Sequence, residues 1–156
     1  MKVFFRYSIK EELKEVLSFI FHRKEYENLR SVIKPSIGRI VYYCVSKRKI
    51  LLEVSDWWQS VAKPVEKAFK QLELVLPNKN TVCYVHSFSN EGWFNENTGN
   101  INARHYLCGG RKEFVETVIH ELIHITIYKD THSYDESEKI VDKYLDRPQL
   151  KEILKN

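Results

Sequence analysis

The sequence predicts a single α+β domain, in which a small mixed sheet is backed by a helix and flanked by amphipathic helices. Three observations carry that expectation. Apolar residues recur every three to four positions toward both ends of the chain, and short alternating or β-branched stretches between turn residues fill its middle. The 156 residues, 43% of them hydrophobic, suffice for one core and show no composition break, linker or low-complexity segment.

Met1 to Tyr7 alternates too briefly and is too charged for a signal peptide, and no 18-residue apolar run follows. A soluble, cytoplasmic protein without a membrane partner is therefore expected. Ile9 to Ile33, rich in leucine, phenylalanine and paired charges, reads as one long amphipathic helix ended before Pro35. Arg39 to Val45 and Ile50 to Val54 read as the strands of a hairpin whose turn is the basic run Ser46-Lys47-Arg48-Lys49. Residues 1–54 would thus form an N-terminal helix and hairpin.

Asp56 is placed to cap a backing helix carrying Trp57, Trp58, Val61, Val65, Ala68, Phe69 and Leu72, kinked or restarted at Pro64. Thr81 to Ser87 and Gly92 to Phe94 are strand-like, and the asparagine-rich Asn95 to Asn100 turns into a further strand through Ile101. Gly109-Gly110 open the run Arg111 to Tyr128, in which Phe114, Val115, Val118, Ile119, Leu122, Ile125 and Thr126 recur at helical spacing. A second helical stretch runs from Asp135 to Asp146 with Ile140, Val141, Tyr144 and Leu145 on its buried side. Residues 55–146 form the expected core, and Pro148 starts a last helix within 147–156.

Charge and cysteines narrow the function. The net charge of +4 is modest, and without a helix-turn-helix, an aromatic RNA-binding motif or a finger, nucleic acid is not the expected partner. Cys44, Cys83 and Cys108 are odd in number and lack metal-type pairing, so they read as reduced thiols. Cys108, just before the long apolar helix, either packs or shields a metal in a latent form.

The chemistry concentrates in His120-Glu121-Leu122-Ile123-His124. At i and i+4 the two imidazoles share one helix face, opposite the apolar stripe, and can close on a single zinc ion. Glu121 lies too far round to complete that clamp and is placed as the general base that takes a proton from the metal's water. A third ligand is needed, and Glu138 on the next helix is the expected one, with Asp142 one turn later placed to hold the free nitrogen of a ligand histidine. Glu136 is the rival carboxylate. His132, eight residues beyond the motif, is a rival at nearly the HExxHxxGxxH spacing, although the glycine is missing. Tyr128 and Tyr134 are candidates either for hydrogen bonding to a developing oxyanion or for packing.

Taken together, HExxH and Ser137-Glu138-Lys139-Ile140-Val141-Asp142 resemble the gluzincins, thermolysin-type zinc metallopeptidases with an ExxxD segment on a following helix. Asn102-Ala103-Arg104-His105 is similar to that group's Asn-Ala-x-x strand. The short spacing from His124 to Glu138 places the chain nearest the minimal soluble archaeal members called minigluzincins. The resemblance covers about residues 55–146 and implies a zincin-like fold, a zinc cofactor, a peptide or protein substrate, and substrate backbone held at an upper rim by Asn102 and Ala103. Arg104 and His105 stand where the family often has apolar or aromatic residues. Other classes share parts of this pattern: a regulatory protease of the ImmA/IrrE type cutting one partner, a zinc-binding module without turnover, and a DNA-associated protease of the SprT-like kind.

Overall fold

The computed structural model describes residues 2–21, 36–76, 80–88, 92–105, 110–129, 131 and 133–155. Among them are four strands, β1 (Lys2–Arg6), β2 (Asn80–His86), β3 (Gly92–Asn95) and β4 (Asn100–Arg104). Five helices accompany them: α1 (Ile9–Phe21), α2 (Ile37–Gln71), α3 (Gly110–Ile127), α4 (Tyr134–Leu145) and α5 (Pro148–Lys155). The strands form one mixed sheet in the order β1-β2-β4-β3, with β1, β2 and β4 parallel and β3 antiparallel to β4. No helix among the described residues is long and apolar enough to cross a membrane.

Register divides the sheet into two faces, because paired residues on neighbouring strands point the same way. Phe5, Cys83 and Ile101 lie in register with Phe94, and Val85 and Ala103 with Gly92. That face packs on α3, whose Phe114, Val115, Val118, Ile119, Leu122 and Ile123 are all buried. Each such side chain contributes about 1.5–3 kcal/mol through burial, which makes α3 the centre of the core. Tyr84, His86, Asn102, Arg104 and Trp93 belong to the other face. There the carboxylate of Glu12, fully buried on α1, accepts a hydrogen bond from the Ser87 backbone N–H at 2.8 Å and faces His86 Nδ1 at 3.3 Å.

The expected hairpin over 39–54 is corrected, since those residues lie in α2, a continuous helix of 35 residues. Its buried positions Tyr43, Ile50, Val54, Trp58, Val61, Val65, Ala68 and Phe69 recur at helical intervals, and Lys47, Arg48 and Lys49 form a solvated side of the helix. Val41 and Val45, which lie in the stretch read as strand-like, are exposed on its first turns, as is Ile37. The expected start at Asp56 and, of the kink or restart expected at Pro64, the restart are corrected with it. Proline costs an interior helix about 3 kcal/mol, and the burial of Val61, Val65, Ala68 and Phe69 on either side outweighs that loss. The 54/55 seam expected between an N-terminal portion and the core falls inside this helix.

β1 pairs with β2 and so belongs to the sheet, a strand the sequence reading did not assign. Of the helix expected over 9–33, α1 covers Ile9–Phe21 and the rest lies outside the described residues, as do Cys108 and His132. Capping follows ordinary rules elsewhere. Ser133 accepts from the Glu136 N–H at the start of α4, where Asp135 and Glu136 also complement the helix dipole. In the β3–β4 turn Asn95 Oδ1 accepts from the N–H groups of Asn97 and Thr98, and Gly99 takes the left-handed conformation at φ +65°.

Candidate metal centre

α3 carries His120 and His124 one turn apart, and α4 returns across it so that Glu138 meets both rings. His120 Nε2 lies 2.9 Å from His124 Nε2, while Glu138 oxygens stand 3.5 Å from the first and 3.1 Å from the second. Donors around a tetrahedral zinc with bonds of about 2.0–2.1 Å are about 3.3 Å apart, so these separations bracket the edges of such a site. Among the described residues this is the one group of three His, Cys, Asp or Glu ligands near enough to share an ion. The donor set, two imidazoles and a carboxylate, fits zinc or a similar divalent metal.

Electrostatics favour the ligand forms. Burial lowers the pKa of His120, the neighbouring His124 adds to this, and Glu138 and Asp142 partly oppose it; burial likewise lowers His124. Both rings are thus neutral at pH 7, with a lone pair free for a metal. His124 Nδ1 is 2.7 Å from Ser137 Oγ. With that Nδ1–H donating to the hydroxyl, Nε2 presents its lone pair toward Glu138, and the Phe94 ring stacked at 5.7 Å and 14° restrains the imidazole plane.

Ser137 therefore fills the role expected of Asp142, which is corrected. Asp142 is exposed and acts on the imidazoles through its charge, with no hydrogen bond to either among the described residues. The physical reason is orientation: Ser137 is on the buried face of α4, four residues before the buried Val141, whereas Asp142 points off that face. A small polar residue within an apolar stripe was the available signal. Ser137→Ala should lower metal affinity about 10- to 100-fold in competition with a chelating dye, the scale seen for lost partners of ligand histidines. Unchanged affinity would show that the hydroxyl does not orient the ring.

Glu136 is exposed in the first turn of α4 and is not among the three converging ligands. Tyr134 is 76% exposed; partial burial and the neighbouring carboxylates, Glu138 first among them, push its pKa up to about 12. Tyr128 packs its ring on Phe94 at 5.7 Å.

Glu121 is only 5% exposed beneath β3, and burial, with the charge of Glu138 second, raises its pKa to about 8. Gly92 makes this possible. A Cβ there would stand 2.6 Å from Thr117 Cγ2 and 2.8 Å from Glu121 Oε1, so only glycine lets the strand lie this close to the carboxylate. Gly92→Ala should cost about 1–3 kcal/mol in a denaturant titration and displace Glu121. Wild-type stability would show that β3 yields freely.

The expected upper rim is also corrected. β4 is an interior strand, bonded to β2 on one side and β3 on the other, so Asn102 and Ala103 have no free backbone edge to offer substrate. Ala103 is fully buried, and the Asn102 side chain bonds inside the sheet, its Oδ1 3.0 Å from His86 Nε2 and its Nδ2 donating to the Trp93 carbonyl at 3.5 Å. Among the described residues, the sheet edge beside the two histidines is β3. Arg104 and His105 are buried as well, the latter stacked on Trp57 at 5.5 Å. Comparison with protein-family models, with curated proteins and with solved structures finds no match for the chain.

Proposed function

We propose that the protein is a zinc-dependent metallopeptidase of the gluzincin type with a zincin-like fold, hydrolysing peptide bonds of an extended polypeptide. The observation that carries this reading is the convergence of His120, His124 and Glu138 beside the buried Glu121, under β3, which is an edge strand among the described residues. A divalent ion held by those three ligands supplies a Lewis acid and brings the pKa of water toward about 7.

The chain's own residues do the rest. Substrate backbone adds to the free edge of β3, which gives affinity with little demand on sequence. The Glu121 carboxylate takes a proton from the attacking water as the new C–O bond forms. It then gives that proton to the amine nitrogen as the C–N bond breaks. Burial raises its pKa above the ordinary carboxylate value, which makes it a stronger base. Tyr134, exposed and near enough to Glu138 for that carboxylate to raise its pKa, is the residue we assign to donate to a developing oxyanion. A cytoplasmic location belongs to the same reading, supported by the free thiols of Cys44 and Cys83.

The test is metal analysis of the purified protein beside its peptide hydrolysis. One equivalent of zinc, lost together with activity in His120→Ala, supports the reading. Absence of metal, or hydrolysis that survives His120→Ala and a chelator, defeats it.

A further inference from the structure

Against the turn joining β3 to β4 lies an open pocket of about 180 Å³. Phe94, Ile125 and Tyr128 supply its apolar lining, and residues 95–99 of the turn supply its polar rim. Phe94 is the same ring that stacks on His124, so the pocket adjoins the metal centre. Glu96 is the one charged residue among those lining it.

We propose that this pocket is a specificity subsite for a long basic side chain, lysine or arginine, on the N-terminal side of the bond cleaved. The inference rests on the peptidase reading above. Antiparallel pairing, the more stable kind, sends a substrate strand from the Asn95 end of β3 toward the Gly92 end. A residue lying at the Asn95 end therefore precedes the scissile bond. The volume is many times the roughly 10–15 Å³ that one water needs on this measure, room enough for one extended side chain. Its methylene stem packs on Phe94, Ile125 and Tyr128, and its charged end reaches Glu96 at the rim.

Two further observations fit a cation. The aromatic faces of Phe94 and Tyr128 attract positive charge, and the ammonium of the exposed Lys129 already lies 5.8 Å from the Tyr128 centroid. Lys129 is not among the residues that line the pocket. The rim is held in shape by the two N–H bonds to Asn95 Oδ1 and by the Gly99 N–H donating to the Asn95 carbonyl at 2.8 Å. An acidic side chain would meet the Glu96 carboxylate and be repelled.

The experiment uses the zinc-loaded protein and peptides identical except for lysine, leucine or glutamate at each position before the scissile bond. Lysine should raise kcat/KM about fivefold over leucine at one position, the scale of an exposed ion pair with a ring contact, and glutamate should be the poorest. Glu96→Lys should invert the order of lysine and glutamate; if that variant folds poorly, Glu96→Gln should flatten it. Peptide binding to Glu121→Gln, followed by tryptophan fluorescence, should rank the peptides in the same way. Cleavage without ranking, ranking indifferent to Glu96, or a preference only after the scissile bond overturns the subsite and leaves the peptidase standing. No cleavage of any peptide overturns both.

Discussion

Glu121→Gln should retain one equivalent of metal and lose peptide hydrolysis by about 10²–10⁴-fold, the usual contribution of a general base. The amide keeps the shape of the side chain and cannot accept a proton. His120, His124 and Glu138 are untouched by the change, so the metal should stay. Metal content and kcat/KM measured on one preparation make the check. Hydrolysis within tenfold of wild type would remove Glu121 from the mechanism, and loss of the metal would mean that the site is not the one described.

Metal-free protein should lose stability as pH rises from 6.5 to 8, and Glu121→Gln should abolish that loss. Burial raises the Glu121 pKa to about 8, far above an unfolded carboxyl near 4.3. Its contribution is therefore complete below about pH 4.3 and disappears as pH climbs through 8. The buried and half-buried imidazoles act oppositely. His105, His120 and His124 have lowered values, so their contribution is complete above about pH 6.5 and fades as pH falls. Between 6.5 and 8 the Glu121 effect stands alone among these four, about 1.5 pH units at about 1.4 kcal/mol each, or about 2 kcal/mol. In a chain of this length that is a fall of about 4–8 °C in Tm. A divalent ion offsets the charge of Glu138, the second cause of the raised value, and should flatten the slope. A slope that is flat without metal, or unchanged in Glu121→Gln, would place the proton elsewhere.

The candidate site was more legible in the sequence than the scaffold around it. Two histidines at i and i+4 meet wherever a helix forms, so His120, Glu121 and His124 needed only the apolar periodicity of α3. Glu138 required the further inference that α4 folds back, which the short connection suggested. Asp142 failed for a reason that spacing cannot expose: one turn beyond a ligand, it still points to solvent, and Ser137 holds the ring instead. Over 39–54, β-branched residues and a lysine-arginine run imitated a hairpin. The deciding information was which side chains meet the core, since Tyr43, Ile50 and Val54 do and Val45 does not. Asn102 misled similarly, because no local signal says whether a strand lies at an edge or within a sheet.

The place of β1 has a bearing on how the chain folds during synthesis. Lys2 pairs with Asn80, so β1 must wait for a partner almost eighty residues later. At about 5–20 residues per second a ribosome leaves that strand single for roughly 4–15 s. A parallel contact of such sequence separation forms late and slowly. Val3, Phe4 and Phe5 are thus exposed on every nascent chain, and holdase chaperones that bind short apolar segments should protect its yield more than its final stability.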